Sequence, residues 1–239
     1  MMEVLVIGLG ALIIGISKTS VGGFGMVAAA LFADVMPAKE STAAVLLLLI
    51  CGDVFGSFTY RRDVDWRALL RLAPSVLIGV IAGSWFLSVT SDQFIRKAIG
   101  VVIVIMVTAQ WFMRRRPKAD HLPHAVTWAA GFTAGFTSMV ANAGGAPMAI
   151  YLLNMHISVR RYLGTTAWFF FAVNLTKLPF SIHLGLLHAS RVESLLWYIP
   201  VVACGAWIGR RVITRISMDT FQVIMLLSAA AGGINLLLR

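Results

Sequence analysis

Lys18, Asp53 and Lys177 are ionisable side chains set within or at the edge of long apolar stretches. A charge inside a lipid bilayer costs several kcal/mol, which makes each a candidate for function. Lys18 opens the run Lys18-Thr19-Ser20-Val21-Gly22-Gly23, a polar, glycine-bearing joint between two apolar segments. Where a half-helix starts at such a joint, the N–H groups of Thr19 to Gly23 lack helical partners and the helix dipole adds partial positive charge, an arrangement that holds anions. The later joint Asn142-Ala143-Gly144-Gly145 offers the same donors, and Lys177, three residues after Asn174, supplies a second full charge. Many donors, two ammonium groups and few acceptors suit an anion. The expected binding set is therefore Lys18, Thr19, Gly22, Gly23, Asn142, Gly144, Gly145, Asn174 and Lys177. Plainer readings stand beside this one. A lysine near a helix end can place its ammonium at the membrane interface, and Asp53 either neutralises a lysine or carries a coupling proton or ion.

Such residues need elements to position them. The 239 residues are 59% hydrophobic and 13% charged, with mean hydropathy +0.86, and a soluble domain of this size needs more polar surface than that. A helix crosses the hydrocarbon core with about 20 apolar residues. Six segments reach that length: 41–60, 68–90, 94–113, 163–186, 194–213 and 220–238. Four others, 4–17, 21–36, 126–140 and 144–156, are only about three to four turns long and form two pairs, each joined by one of the polar joints. A pair is either a hairpin that dips into the membrane and returns or two full spans. Non-helical backbone at membrane depth is tolerated where protein buries it or where it lines a watery cavity. In both cases the chain comes back to the side it left.

With that parity the basic residues give an orientation. One side receives Arg61, Arg62, Arg67, Arg71, Arg114, Arg115, Arg116, Lys118, Arg160, Arg161, Arg210, Arg211 and Arg215; the other receives Lys39, Arg96, Lys97, Arg191 and Arg239. Positive loops stay in the cytoplasm, so both termini are expected on the periplasmic side of a bacterial inner membrane. Of the 20 Lys and Arg, only Lys18 and Lys177 are left within the embedded part.

The two halves also echo each other. Gly22-Gly23 and Met26 recur as Gly144-Gly145 and Met148; Pro74, Gly79 and Gly83 recur with the same spacing as Pro200, Gly205 and Gly209; Asp92 and Phe94 recur as Asp219 and Phe221. The expected fold is an all-α polytopic membrane protein of two inverted-topology repeats, each a short-helix hairpin plus three transmembrane helices. The first repeat covers 1–116, a cytoplasmic linker 117–124, and the second repeat 125–239. Three crossings is an odd number, so the second half is inserted upside down. Inverted repeats are a transporter architecture, with substrate held near the midplane at the repeat interface.

Other features narrow the reading. The net charge of +10 is scattered between apolar runs and does not form the clustered basic face that nucleic acid needs. Met1-Met2-Glu3-Val4 lacks a positive n-region, so the first apolar run is read as part of the mature protein. Cys51 and Cys204 lie in separate apolar stretches and are expected to be buried small hydrophobes. The five histidines form no ligand set, and no cofactor is expected. Gly79-x-x-x-Gly83 and Gly205-x-x-x-Gly209 suit close helix contacts inside the bundle, and small residues at that spacing also mediate homodimers. Trp66, Trp85, Trp111, Trp128 and Trp197 read as interfacial anchors, and Pro74 and Pro200 as helix-start or kink features. No Walker A, His-Glu-x-x-His or Gly-x-Ser-x-Gly motif is present. An intramembrane enzyme is one rival to a carrier, and an anion channel or an uptake permease for a different small anion is another.

At these residues the sequence resembles the sulfite exporter TauE/SafE family of membrane permeases, over nearly its whole length. The resemblance runs through Gly15-Ile16-Ser17-Lys18-Thr19 with Gly22-Gly23, Gly52-Asp53, Tyr60-Arg61-Arg62 and Asp65-Trp66. In the second half it runs through the segment 134–145, Gly164-Thr165-Thr166-Ala167-Trp168-Phe169-Phe170, and Asn174-Leu175-Thr176-Lys177-Leu178-Pro179. Gly145-Ala146-Pro147 departs from the family pattern, where Gly-Pro is expected directly. The resemblance implies a transporter of small anions, with sulfite and organosulfonates such as sulfoacetate as the substrates named for relatives.

Overall fold

The computed structural model describes residues 2–19, 25–113, 123–153, 158–187, 189–212 and 218–238. The elements in these stretches are helices: α1 (Met2–Thr19), α2 (Gly25–Val35), α3 (Ala38–Thr59), α4 (Trp66–Val89), α5 (Asp92–Met113), α6 (His124–Ala141), α7 (Gly145–Leu153), α8 (Val159–His183), α9 (Ala189–Leu196), α10 (Ile199–Val212) and α11 (Met218–Leu238). Among the described residues, three segments are long and apolar enough to cross a membrane: α3, α4 and Val192–Arg211, which runs through α9 and α10. The chain is thus an all-α, polytopic membrane protein. Helices α5, α8 and α11 have the length of the other expected spans, with 22, 25 and 21 residues, but are not among the apolar three. In α8, Arg160, Arg161, Asn174 and Lys177 dilute the apolar composition.

Two expected boundaries are corrected. The first arms of the short pairs, expected at 4–17 and 126–140, are 18-residue helices, whereas α2 has 11 residues and α7 nine. Polar side chains near the ends of the long arms find partners within their own helix: Ser17 Oγ donates to the Ile14 carbonyl at 2.9 Å and Thr137 Oγ1 to the Thr133 carbonyl at 2.7 Å. The expected span 194–213 is two helices, broken between Leu196 and Ile199. Pro200 stands at the second position of α10, where its missing N–H leaves no helical bond unmade. Pro74, by contrast, lies inside α4.

Helix α3 is the most enclosed of the three spans, with 61% of its apolar window buried against 28% for Val192–Arg211. It packs on α1, α2, α5, α6, α8, α9 and α10. Its start is held from α5: the Ala38 and Lys39 N–H groups donate to the two Asp92 carboxylate oxygens at 3.1 and 3.0 Å. Arg96, one turn on, donates to the Met36 carbonyl at 3.4 Å. An anion therefore sits at the positive end of α3 and a cation at the negative end of α2, the arrangement their dipoles favour.

The tightest crossings are α1 on α10 and α4 on α6, and glycines make them. A Cβ at Gly15 would lie 2.8 Å from the Ala206 nitrogen and 2.9 Å from the Gly205 Cα; a Cβ at Gly205 would lie 3.1 Å from the Gly15 Cα. In the other crossing, a Cβ at Gly79 would lie 2.8 Å from the Phe136 nitrogen, and one at Gly83 would lie 2.8 Å from the Met139 Cβ. The two crossings share a register. Gly15 faces Val202 and Ala206 while Gly135 faces Val76 and Val80; Gly205 faces Leu12 while Gly79 faces Phe132; Gly209 faces Ile16 and Thr19 while Gly83 faces Phe136 and Met139. A shift of 120 residues thus carries the α1 contacts onto α6, and one of 126 carries the α4 contacts onto α10. Both Gly-x-x-x-Gly pairs are engaged inside one chain, so a homodimer needs another surface.

Trp66, Trp85, Trp111, Trp128 and Trp197 are all exposed, as anchors in an interface require. The expectation of two buried cysteines fails. Cys51 is half-buried and Cys204 is exposed, because Gly205 and Ala206, beside Cys204 in α10, form the face turned to α1. The predicted linker at 117–124 lies mostly outside the described residues, as does the side chain of Asp219.

Candidate functional site

Lys18 and Lys177 reach the interior from different helices. Lys18 stands in the last turn of α1 with its side chain 6% exposed, and Lys177 stands on α8 at 1%. Neither ammonium is at the surface of the bundle. Lys18 Nζ is ion-paired with Asp53 Oδ1 on α3 and lies over the Phe170 ring, 4.9 Å from its centroid. The second Asp53 oxygen accepts from Asn174 Nδ2 at 2.6 Å. Asn174 Oδ1 in turn accepts from Lys177 Nζ at 3.3 Å, one helical turn along α8. Lys177 Nζ also donates to Asn142 Oδ1 at 2.6 Å and Ser138 Oγ at 3.3 Å, and Asn142 Nδ2 donates to the Thr42 carbonyl at 3.2 Å. One continuous polar chain therefore runs from α1 through α3, α8 and α6 and back to α3. Buried charges persist only when paired and hydrogen-bonded in this way.

Local sequence explains how Asn142 comes to face Lys177. It caps α6 in the left-handed conformation, φ 51° and ψ 29°, which asparagine tolerates better than most residues. Its N–H bonds to the Ser138 carbonyl and the Ala143 N–H to the Thr137 carbonyl, each at 3.1 Å; the first of these is the bond of a left-handed helix cap, and together they satisfy two carbonyls of the helix end. Gly144 must lack a side chain, since a Cβ there would sit 2.7 Å from the Ala134 carbonyl oxygen. Gly145 then starts α7. Pro147, part of the departure from the family pattern, falls in the first turn of that helix, where no N–H has a helical partner. The two short pairs touch here: a Cβ at Gly25, the first residue of α2, would lie 2.9 Å from the Asn142 carbonyl oxygen.

The expected binding residues divide accordingly. Lys18, Asp53, Asn142, Asn174 and Lys177 belong to the polar chain, and Gly144 and Gly145 form the turn beneath it. Thr19 points elsewhere, its hydroxyl donating to the Ala206 carbonyl on α10 at 2.8 Å. Gly22 and Gly23 lie outside the described residues. Three participants were missed. Ser138 stands one turn before Asn142, and Phe170 one turn before Asn174, spacings that put each on its partner's helix face; Thr42 contributes only a carbonyl, which leaves no sequence signal. Toward the Tyr60 end of α3, the Ser57 hydroxyl and the Trp168 indole N–H are buried with no partner among the described residues.

A bundle of apolar helices that buries two ammonium groups and a carboxylate along one connected chain has the interior of a membrane transporter. A family model described as sulfite exporter TauE/SafE matches residues 7–236, and the chain belongs to that family. Its members are transporters and not enzymes, so the chain has a transport role. No curated protein matches the chain.

Proposed function

We propose that this protein is a secondary transporter that exports a small anion, such as sulfite or an organosulfonate, across a bacterial inner membrane. The anion binds where the two short pairs meet, close to Lys18, Lys177, Asn142 and Asn174. The observation that carries this reading is that both buried ammonium groups are joined through Asp53 and Asn174 directly beside the contact between Gly25 and Asn142. Two charges that cost several kcal/mol to bury are gathered at one place, which suits a substrate of opposite sign.

We also read the chain as two inverted repeats that exchange helices. The shared register of the α1–α10 and α4–α6 crossings supports this, as does the α3–α8 contact: shifts of 120 on α6 and 121 on α8 turn the Lys18–Gly56 approach into the Ser138–Lys177 bond. Movement of one repeat against the other then opens the site to each side in turn. The membrane potential, negative inside, drives a monoanion outward by about 2.3 kcal/mol per 100 mV, so export needs no nucleotide. The positive-inside pattern puts both termini in the periplasm.

The test is labelled sulfite or sulfoacetate flux in proteoliposomes. Lys177→Ala is expected to abolish flux at matched protein level, and wild-type flux in that variant overturns the site. Unlabelled anion on the far side should accelerate exchange; no acceleration indicates a channel instead of a carrier.

A further inference from the structure

The two lysines are not equivalent in charge. Asp53 is the one buried carboxylate among the described residues, and its Oδ1 is paired with Lys18. Lys177 donates to three neutral oxygens, those of Ser138, Asn142 and Asn174. The charged groups acting on Asp53 are Lys18 on α1 and Lys177 on α8, and Cys51 is its titratable neighbour on α3. Among the described residues of α2, α5, α6, α9 and α10, no charged side chain pairs with it. With Asp53 ionised and both lysines protonated, the site therefore carries one net positive charge, and it resides on Lys177.

We infer that Lys177 alone serves a monovalent anion, and that a divalent anion binds only together with a proton taken up by Asp53, which releases Lys18 as the second cation. This rests on the anion site proposed above and adds the charge of the substrate and the role of the carboxylate. A monoanion on the ionised site gives a neutral, buried complex. A dianion on the same site would leave a net negative charge out of water, at a cost of several kcal/mol. Protonation of Asp53 removes that excess. The proton comes from solvent, a carboxyl O–H bond forms, the ion pair to Lys18 ends, and the dianion then faces two ammonium groups in a complex that is again neutral. Asn174 remains beside the carboxyl, so the protonated group keeps a hydrogen-bond partner. Lys18 is the charge that Asp53 gates, and Lys177 has no carboxylate partner to release it.

The experiment uses the purified full chain and two probes whose charge does not change with pH, methanesulfonate and methanedisulfonate. Isothermal titration calorimetry at pH 7 in buffers of different ionisation enthalpy reports protons taken up per anion bound. Uptake about one proton greater for methanedisulfonate than for methanesulfonate is expected. In Asp53→Asn, which keeps the shape and the contact to Asn174 while fixing the side chain as neutral, the dianion should take up no more protons than the monoanion. Dianion binding to the wild type with no more proton uptake than the monoanion overturns the charge rule and leaves the anion site standing. An excess uptake for the dianion that persists in Asp53→Asn moves the role away from Asp53 and overturns the assignment. If neither probe binds the wild type, both the charge rule and the anion site are overturned. Circular dichroism and size exclusion establish that the variant is folded.

Discussion

Asn174 donates its side-chain amide to Asp53 at 2.6 Å, so two residues 121 positions apart join α3 to α8 between the two buried ammonium groups. The same shift of 121 relates Gly56, which a Cβ would bring to 2.9 Å from the Lys18 carbonyl oxygen, to Lys177, which bonds Ser138. In the two-repeat reading proposed above, Asp53 and Asn174 are counterparts that meet, one carrying a charge and one neutral. That difference sets which lysine is neutralised.

Replacing Asn174 by Asp tests the difference directly. The amide donor to Asp53 is lost, two carboxylates come into contact, and Lys177 gains a counter-charge that competes with the substrate. Anion affinity is expected to fall roughly 10- to 100-fold, equivalent to about 1.4–2.7 kcal/mol, while Asn174→Ala falls less because it adds no negative charge. Calorimetric binding of methanesulfonate to both variants is the check. An Asp variant that binds as tightly as the Ala variant would remove charge as the cause.

The two ammonium groups converge on the Asp53–Asn174 pair from opposite partners. Lys18 arrives from α1 with Gly56 opposite, and Lys177 arrives from α8 with Ser138 opposite. If the halves are repeats, the second lysine should be movable to the other helix. Lys177→Gly alone is expected to lose transport. The double variant Ser138→Lys with Lys177→Gly should recover a measurable part of it, at least about tenfold above the single variant, since it copies the first half's arrangement near Asn174. Flux in proteoliposomes measures this, and a double variant no better than the single one counts against equivalence of the two crossings.

Much of this was legible in the residues. Lys18, Asp53 and Lys177 stood out because ionisable groups are rare in apolar runs, and Asn142 because it precedes paired glycines. The glycine spacing at 79, 83, 205 and 209 pointed to close packing, and its partners α6 and α1 could be learned only from the fold. Helix ends were harder. The first short segment was expected to stop at Ser17 and the third at Val140, yet α1 runs on to Thr19 and α6 to Ala141. Thr19 sits beside Lys18 in the chain, but the turn of α1 carries its hydroxyl toward α10, so adjacency in sequence did not mean a shared site. The pairing of Lys18 and not Lys177 with Asp53 depends on how three helices cross, which no local pattern encodes.

Adjacent residues on α10 give a contrast in packing. Gly205 is buried against the α1 backbone, whereas Cys204 is exposed. Gly205→Leu should force α1 and α10 apart and cost about 1–3 kcal/mol or more, as overpacking does. Cys204→Leu should stay within about 0.5 kcal/mol of the wild type. Thermal unfolding in detergent, read by tryptophan fluorescence, separates them, and equal midpoints for the two variants would argue against the α1–α10 contact.

Asp92 offers a test of what holds the start of α3, the helix that carries Asp53. Pro37 precedes that helix and provides no side-chain cap, so the Ala38 and Lys39 N–H groups depend on the Asp92 carboxylate from α5. Removing a capping side chain costs about 0.5–2 kcal/mol, and loss of the favourable charge at a helix N-terminus adds about 0.3–1 kcal/mol. Asp92→Ala should therefore lower stability by about 1–3 kcal/mol. Asp92→Asn keeps one acceptor and loses the charge, so its cost should fall between the wild type and Ala. Neither change touches the polar chain, which predicts weaker thermal stability with anion affinity in the folded protein unchanged. Binding by calorimetry and unfolding by fluorescence, on the same preparations, distinguish the two effects. An Ala variant with wild-type stability would mean that α3 does not rely on this cap, and one that unfolds normally but binds anion weakly would tie Asp92 to the site instead.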